Sequence, residues 1–354
     1  MQTQLSDEDL IFGFALASVE RIGVRGYHDK CAQFGSVEAA FLHTVPTAQQ
    51  RTLLDAARST LREARDIGVT IIAEQDATYP EYLRSLRDAP PYVFTLGDLA
   101  LLQLPAVAIV GTRSATPYGL RVTRMLAADL ARAGAAVVSG MARGIDSAAH
   151  EAALDAGGAT IAVLGTGVDV PYPRHNKPLH ARIAQKGLIV SEFPCGLRAS
   201  PGSFPRRNRI IAGLARAVIV TEAPVKSGAL ITSSVAGDIG RDVGAVPGHI
   251  DTPACAGSNL LLRDGATPIL SSADALALGG ITPASAPAAP LRSAHELSDD
   301  AQLLWRALSA SGPLSADALA RAGGLEARRA APALAALEIA GWVEIDHAGV
   351  VFAR

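Results

Sequence analysis

The chain has 354 residues, of which 49% are hydrophobic, 5% are aromatic and 33 are glycine. This length predicts two or three domains with sizeable cores, and the composition favours α/β packing with tight turns over an aromatic-rich sandwich. The 32 Lys and Arg residues balance the 34 Asp and Glu residues to a net charge of -2, which excludes a general attraction to nucleic acid or to an acidic membrane, so any basic site must be local.

The three cysteines, Cys31, Cys195 and Cys255, are far apart and form no CxxC pair. They predict neither a disulfide framework nor a metal cluster, and they favour a reducing compartment. The N-terminal stretch up to Arg21 is acidic where a signal peptide is basic, and its apolar part is too short and broken to span a bilayer. We therefore expect a cytoplasmic protein with no metal site and no membrane contact.

Residues 1–75 are predicted to form a small helical domain of the SAM or helix-hairpin-helix kind. Apolar residues recur at spacings of three and four, as in Leu54, Ala57 and Leu61, which is typical of amphipathic helices. The segment RIGVRGY, residues 21–27, has two interpretations, a DNA-binding hairpin turn or a plain helix connection with glycine stops. The plain connection is preferred, and no site residue is assigned there.

Residues 76–278 alternate short apolar runs with amphipathic stretches, the pattern of βαβ units in a mostly parallel, doubly wound, Rossmann-like α/β sheet. The predicted strands are 106–110, 135–139, 160–164, 188–192, 217–221 and 242–246. The predicted helices are 117–133, 145–156, 177–185, 208–215 and 230–239. The pattern does not predict the order of the strands in the sheet.

Residues 279–295 contain the stretch ITPASAPAAPLRSA, whose Pro, Ala and Ser content predicts a flexible linker. In residues 296–354, helices predicted at 301–309, 315–322 and 326–339 precede an alternating stretch, 342–352, that is typical of a β-hairpin wing. This order predicts a winged-helix domain. Its third helix carries Arg328 and Arg329, which suit duplex DNA, but protein contact is an equally open interpretation.

Two glycine-rich turns, VGTRSATP and SGMARGID, follow the first two predicted strands of the central segment. Thr116 can cap the helix after the first turn, and Pro117 suits the first position of that helix. Free backbone N–H groups at both helix starts, with an arginine in each turn, predict phosphate sites. The residues concerned are Gly111, Thr112, Arg113, Gly140, Arg143 and Gly144.

Two later regions add basic residues. The third turn, GTGVDVPYP, leads into Arg174, His175 and Lys177. Further on, FPRRNR places three arginines within four positions, just before the predicted helix at 208–215. A solvated charge run is the ordinary interpretation, but Asn208 and Arg209 directly precede two isoleucines, so part of the cluster must lie against the body of the domain.

These turns do not match the patterns of ordinary nucleotide cofactor sites. The dinucleotide pattern GxGxxG is absent because Gly165 and Gly167 are followed by Val168, Asp169 and Val170, and the phosphate loop GxxxxGK[ST] is absent as well. Several separated basic turns suit a polyanion lying across the strand ends better than one bound dinucleotide. We therefore expect no cofactor.

The order and spacing of VGTR, SGMARGID, YPRHNK, SEFP, FPRRNRIIAGL, SGALIT, VPG and GSNLL closely resemble those of the DNA-processing protein A (DprA/Smf) family. The resemblance covers about 200 residues, from near Tyr79 to Leu276, and no single motif carries it. It implies a protein with no settled enzymatic reaction that binds and protects single-stranded DNA. It also implies a homodimer that loads the RecA recombinase onto incoming DNA during natural transformation and recombination.

By this resemblance, Arg113 and Lys177 are the principal phosphate contacts. Phe204 is a candidate for stacking on a base, and so is Tyr172, although a core position is preferred for Tyr172. The resemblance implies that the DNA backbone approaches the protein at Gly111, Gly140 and Gly144. It also implies that the groove is extended by Arg206, Arg207, Asn208 and Arg209. No catalytic residue is assigned, and the dimer surface is expected near residues 230–239 and 260–262.

Two other classes of function remain open. Asp146 and His150 on one helix, with Glu192 and Glu222 after strands, suggest a hydrolytic site, although a helix-dipole contact and a neighbouring loop explain the first pair. A nucleotide phosphoribohydrolase-like enzyme is the nearest competitor, but its motif GGxGTxxE is matched in residues 227–235 only with Val235 in place of the glutamate. A scaffold without nucleic-acid affinity is the third class.

Overall fold

The computed structural model describes residues 6–20, 22–282, 297–339, 342–345 and 349–353. The described residues form two compact units that divide between residues 284 and 285. Arg21 of the N-terminal turn, residues 283–295 of the predicted linker and residues 346–348 of the predicted wing lie outside the described residues. Among the described helices, none combines the length and apolar character that a bilayer crossing requires.

Four helices begin the first unit, as the periodicity predicts. They are α1 (Asp7–Ala17), α2 (Val24–Phe34), α3 (Val37–Thr44) and α4 (Thr47–Asp66). Ser6 starts α1 with a capping box: its hydroxyl accepts the Asp9 N–H, and the Asp9 carboxylate accepts the Ser6 N–H. The buried faces of the helices form one apolar cluster that includes Tyr27 and Tyr92. The hydroxyls of these two tyrosines are 2.8 Å apart, and this contact joins the helical layer to the sheet.

A nine-stranded sheet forms the centre of the first unit. Its strands are β1 (Thr70–Ala73), β2 (Tyr92–Gly97), β3 (Ala106–Val110), β4 (Ala136–Ser139), β5 (Thr160–Val163), β6 (Leu188–Ser191), β7 (Ala217–Val220), β8 (Asp242–Ala245) and β9 (Thr267–Pro268). Their order is β1-β2-β6-β5-β4-β3-β7-β8-β9. Strands β3 to β9 are parallel, whereas β2 pairs antiparallel with both β1 and β6.

The six predicted strands are confirmed as β3 to β8, each to within one residue at either end. Three strands were not predicted: β1 and β2 at one edge and β9 at the other. The sheet therefore begins at Thr70, ahead of the segment in which strands were expected. Along β3 to β6 the chain moves to one side of β3, and β7 then returns to pair with β3 on its other side. This reversal makes the boundary between β3 and β7 the topological switch point of the sheet.

Helices cover both faces of the sheet, as a doubly wound fold requires. They are α5 (Glu81–Arg84), α6 (Pro117–Arg132), α7 (Ile145–Asp155), α8 (Lys177–Lys186), α9 (Ser203–Leu214), α10 (Gly228–Asp238), α11 (Ala256–Arg263) and α12 (Ser272–Leu278). Successive residues of β3 point into two separate cores on opposite faces of the sheet. Ala108 packs in the core that contains residues of α9 and α10, and Ile109 packs in the core that contains residues of α6 and α7. The predicted start of α9 at 208 is wrong: α9 begins at Ser203, so the arginines of FPRRNR lie on the helix.

The second unit has the predicted order of three helices and a wing. Its helices are α13 (Asp299–Ser311), α14 (Ala316–Ala322) and α15 (Ala327–Ile339). A three-stranded antiparallel sheet contains β10 (Leu314–Ser315), β11 (Val343–Ile345) and β12 (Val350–Ala353), with β12 in the middle. The side chains of Leu304, Leu319, Leu337 and Val351 meet in its core. The unit is a winged helix.

The contact between α1 and the sheet leaves no room for a side chain at Gly13. A Cβ at this position would lie 1.6 Å from the hydroxyl of Tyr92, whereas a Cβ at Gly26 in α2 would have its nearest neighbour at 3.8 Å. We expect Gly13→Ala to reduce the free energy of unfolding by about 1–3 kcal/mol because α1 or the tyrosine pair must move. Gly26→Ala should be neutral or stabilise by up to about 1 kcal/mol. Urea unfolding followed by circular dichroism tests both, and equal midpoints for the two variants would contradict this packing.

Candidate nucleic-acid interface

A cavity of about 170 Å³ opens at the carboxyl ends of β4 and β5. Its lining includes three arginines and two aromatic residues together with the turns that follow the two strands, namely Arg113, Arg143, Arg207, Tyr172, Phe204, Gly140 and Gly165. The volume is roughly ten times what one water molecule needs, so a phosphate group or a nucleobase fits inside. Carboxyl ends of parallel strands are the expected place for a ligand in this fold.

The guanidinium of Arg207 forms the floor of the cavity. Arg207 is 5% exposed, and its Nη1 donates to the carbonyl oxygens of Gly140 and Val163, which terminate β4 and β5. A Cβ on Gly140 would lie 2.4 Å from Nη1, so a side chain there would displace the guanidinium. Burial lowers the pKa of Arg207 to about 10, and the neighbouring carboxyl of Asp146 opposes this. The floor of the cavity is therefore positively charged at neutral pH.

Asp146 and His150 are buried next to this guanidinium and do not line the cavity. Asp146 accepts the N–H of Ala142 at 3.3 Å, and Nδ1 of His150 is 2.7 Å from the hydroxyl of Thr160. Burial raises the pKa of Asp146, and burial lowers the pKa of His150 to about 3. The two residues have the internal contacts of structural groups, and neither presents an acid or a base to a molecule in the cavity.

An aromatic wall lies beside the arginines. The rings of Tyr172 and Phe204 have centroids 5.2 Å apart at an angle of 38°, and the guanidinium of Arg113 lies 5.9 Å from the centre of the Phe204 ring. Tyr172 is 41% exposed, so the expectation that it belongs to the core is wrong. Aromatic faces next to guanidinium groups combine stacking with positive charge, the combination found in sites for single-stranded nucleic acid.

Lys177 is the first residue of α8, is exposed, and does not line the cavity. The residue before it, Asn176, holds this turn in place: its side-chain amide donates to the carbonyl of Met141 and to the hydroxyl of Ser147, each at 2.8 Å. The YPRHNK turn is thereby bonded to the SGMARGID turn. Sequence reasoning missed this role of Asn176, since it depends on two turns more than 25 residues apart in the chain.

Of the four FPRRNR residues assigned to the groove, Arg207 lines the cavity and the other three do not. Asn208 and Arg209 are buried, as the adjoining isoleucines predict. The amide of Asn208 donates to the carbonyl of Gly228 at 3.3 Å, and Arg209 is paired with Glu192 at 2.5 Å. Arg206 is exposed, and its guanidinium lies 5.1 Å from the ring centre of Phe193. Asn208 and Arg209 are thus bonded within the domain, whereas Arg206 remains exposed, and a phosphate contact by these three residues stays a prediction.

In the first turn, the predicted helix cap is confirmed, but the predicted free N–H donors are not found at three of its positions. Thr116 caps α6 by accepting the N–H of Gly119 at 3.1 Å, and Pro117 is the first helical residue. The N–H and the hydroxyl of Thr116, however, both donate to the carboxylate of Glu222, and the N–H of Thr112 donates to the Glu222 carbonyl. The expectation of free donors at this helix start is therefore wrong for Thr112, Thr116 and Gly119.

The glycines of the two turns allow the protein chain to approach itself. A Cβ on Gly111 would lie 2.5 Å from the side chain of Ile145, and one on Gly144, whose φ is +76°, would lie 2.4 Å from the carbonyl of Thr112. The first two turns are thus packed against each other. Approach of a DNA backbone at these glycines stays a prediction. In the part of the chain that the structure describes, no group of His, Cys, Asp and Glu residues has the arrangement of a metal site.

The family described as DNA recombination-mediator protein A matches residues 70–278, and the DprA winged helix domain matches residues 285–349. Protein Smf of Synechocystis is 44% identical over 227 residues, which are 63% of this chain and 57% of that protein. DNA processing protein DprA of Streptococcus pneumoniae is 46% identical over 202 residues, which are 57% of this chain and 71% of that protein. The chain thus spans little more than half the length of the Synechocystis relative.

Two solved structures are similar over most of their own length. The X-ray structure of DprA from Streptococcus pneumoniae has a TM-score of 0.66 at 35% identity. The matched region is 78% of this chain and 98% of that chain. The structure of DprA from Helicobacter pylori has a TM-score of 0.55 at 33% identity. The matched region is 61% of this chain and 98% of that chain. The Helicobacter structure is described as giving insight into a single-stranded DNA binding mode.

The pairing of Arg209 with Glu192 predicts unequal costs for two neighbouring substitutions on α9. Glu192 has a side chain that is 3% exposed, and burial raises its pKa while Arg209 lowers it. Arg209→Ala leaves this carboxylate buried without its main partner and should reduce the free energy of unfolding by about 3–5 kcal/mol. Part of the loss should be recovered as the pH falls below neutrality, because protonation then removes the unpaired charge.

Arg206→Ala is the matched control, because Arg206 is on the same helix and contacts the same carboxylate, but its side chain is 58% exposed. Its loss should cost less than about 1 kcal/mol. Urea unfolding at neutral and mildly acidic pH measures both variants. Similar losses for the two, or a loss in Arg209→Ala that does not change with pH, would rule out this account of Glu192.

Proposed function

Because the chain belongs to the DNA-processing protein A (DprA/Smf) family, we propose that it binds single-stranded DNA at the cavity formed by the ends of β4 and β5. In this proposal it protects incoming DNA and loads the RecA recombinase onto it during natural transformation and recombination. The observation that carries the proposal is the cavity, in which a buried guanidinium, two exposed arginines and an aromatic wall meet. Kinship with a protein whose structure is described by its single-stranded DNA binding mode supports the same ligand.

The contacts divide into two kinds. Arg113, Arg143 and Lys177 are exposed cations at one edge of the sheet, and they are assigned to phosphates. The rings of Phe204 and Tyr172 are assigned to bases, because every base has a face that can stack on an aromatic ring. Binding of this kind depends weakly on base sequence and strongly on salt, since phosphate neutralisation releases counterions.

The arrangement of these side chains favours a binding function without catalysis. Glu222, the candidate for a hydrolytic role, is fully buried and bonded to Thr116, and Asp146 and His150 do not reach the cavity. In the segment compared with the phosphoribohydrolase motif, Thr232 donates to the carbonyl of Gly228 within α10. Turnover of nucleoside monophosphates by the purified chain would overturn this part of the proposal.

Homodimerisation and contact with RecA rest on the family. Large apolar side chains are exposed in the expected dimer region and beyond it, including Ile231, Ile250 and Leu270, and exposed apolar residues suit a protein contact. Mass measurement of the chain, free and with an oligonucleotide, tests the homodimer. A chain that is monomeric in both states would contradict it.

For the winged helix, we infer a small contribution to DNA affinity. Arg328 lies 2.8 Å from Glu326, and Arg329 lies 2.5 Å from Asp300, so both candidate cations of α15 already have partners. Residues 297–354 contain five arginines, no lysine and seven Asp or Glu residues, a balance of -2. An acidic domain repels a polyanion over distances shorter than the screening length, which favours protein contact for this unit.

Removal of single cations tests the interface. We expect Arg113→Ala and Lys177→Ala each to weaken binding of a single-stranded oligonucleotide by about tenfold at low salt. Each should also reduce the slope of log affinity against log salt by about 0.7, the value for one phosphate contact on a single strand. Fluorescence anisotropy over a series of salt concentrations measures both quantities.

Each variant has a control on its own helix or next to it. Arg124→Ala removes an exposed arginine further along α6, and Lys186→Ala removes the last lysine of α8. Both controls should bind like the unchanged chain. If all four variants behave alike, binding is a general surface effect and the assigned interface is wrong.

A separate variant tests the winged helix within the full chain. Because both arginines are paired, Arg328→Ala combined with Arg329→Ala should change affinity for duplex DNA by less than about twofold. The same anisotropy titration with a duplex oligonucleotide measures it. A large fall in duplex affinity, with single-strand affinity retained, would assign duplex recognition to α15.

A further inference from the structure

A buried carboxylate fills the crevice where this kind of sheet ordinarily binds its ligand. In open α/β sheets that crevice lies outside the carboxyl ends of the strands at the topological switch point, which here is the boundary between β3 and β7. Glu222 follows β7 and is 0% exposed. Its Oε2 accepts the N–H of Thr116 and its Oε1 accepts the Thr116 hydroxyl, both at 2.8 Å.

The surroundings of Glu222 are shaped to hold this group. Gly119, in the first turn of α6, faces the carboxylate so closely that a Cβ would lie 2.5 Å from Oε2. The thiol of Cys255 donates to Oε1 at 3.5 Å, and the Glu222 backbone carbonyl accepts the N–H of Thr112 at 2.7 Å. The carboxylate is therefore held from three directions, by α6, by the turn after β3 and by the segment that leads into α11.

Nucleotide-binding proteins with a doubly wound sheet commonly place a phosphate at this position. The helix after the first parallel strand presents N–H groups and the positive end of its dipole, and a nucleotide places its phosphate there. In this chain the corresponding helix is α6, which follows β3. Glu222 occupies the N–H and the hydroxyl of Thr116, which caps this helix, with an anion that belongs to the protein. A second anion at that place is opposed both by the occupied donors and by the like charge.

We propose that Glu222 is a specificity-determining residue that keeps free phosphate and free nucleotides away from the start of α6. Anion binding is thereby confined to the neighbouring cavity at the ends of β4 and β5. A single phosphate gains little at that cavity, whereas a polymer gains from several phosphates along the exposed cations. The polymer part rests on the proposed function, but the exclusion of phosphate by Glu222 does not.

The test uses the full chain and inorganic phosphate as the probe. We expect the thermal unfolding midpoint of Glu222→Ala to rise in phosphate relative to chloride at equal ionic strength, because the vacated donors of Thr116 then bind phosphate. The midpoint of the unchanged chain should rise less, by the general stabilisation that phosphate gives to folded proteins. Isothermal titration with thymidine monophosphate should show a gain in affinity of about tenfold or more in the variant.

The matched control is Glu222→Ala combined with Gly119→Ala. The added methyl group points to the place that Oε2 leaves, so it refills the vacated space without supplying a charge. This double variant should lose the response to phosphate that the single variant gains. Retention of the response in the double variant would place the phosphate elsewhere and overturn the proposal.

The remaining outcomes also decide. A folded Glu222→Ala chain whose midpoint rises no more in phosphate than that of the unchanged chain means that Glu222 only holds the turn before α6, and the proposal fails. If the alanine variant does not fold in chloride, Glu222→Ser is tested in the same way. Folding of either variant in phosphate but not in chloride supports the proposal when adding Gly119→Ala abolishes it. Folding in neither salt, or in phosphate with and without Gly119→Ala, overturns it. Oligonucleotide binding is measured on the same samples. If Glu222→Ala gains phosphate binding but the unchanged chain binds no oligonucleotide, the proposed function is wrong, whereas the proposal for Glu222 stands.

Discussion

The buried guanidinium of Arg207 joins the elements from which the cavity is built. It extends from α9 and donates to backbone carbonyls at the ends of β4 and β5, while Asp146 of α7 supplies the opposite charge. A guanidinium suits this position because its five donors lie in one plane and can serve several acceptors at once, which an ammonium group cannot do in the same geometry. A buried charge is costly unless it is paired and hydrogen-bonded. Movement of α9 or of either turn therefore leaves a carbonyl or a charge without its partner, and this couples the three elements.

The same contact explains why the glycine turns are present. Gly140 leaves room for the guanidinium, and Gly144 and Gly111 let the first two turns pack together. The space beside these three glycines is taken by other parts of the protein, by side chains at Gly140 and Gly111 and by backbone at Gly144. Positive charge for a ligand then has to come from side chains that extend beyond these packed turns, and Arg113, Arg143 and Lys177 are exposed there.

Strands β3 to β7 could be predicted because each is a short, fully buried, mostly apolar run between turn signals, as in the AVAIV of β3. The edge strands lack this signal: β1 is half exposed at its start, and β9 has two exposed residues. The beginning of α9 was missed because a polar run, FPRRNR, is ordinarily a solvated loop. It is helical here since Arg207 and Arg209 each have a buried partner, and such tertiary contacts are invisible to local pattern. The basic turns could be found from sequence, whereas the contact of Glu222 with Thr116 could not, because it joins residues 106 apart and requires that β3 and β7 be neighbours.

The charge balance of the chain explains how a local site can favour a polymer. With a net charge of -2, the protein as a whole offers an anion no attraction, and the carboxylate of Glu222 already occupies the N–H and the hydroxyl of Thr116 at the start of α6. The exposed arginines and Lys177 each face solvent, where one charge pair contributes little because water and salt screen it. Several phosphates on one chain engage several such cations at once, and each contact releases counterions, so the small contributions add in one binding event. In the function proposed for this chain, selectivity for a polymer over its monomers follows from weak individual contacts beside a strong contact that the protein has already made with itself.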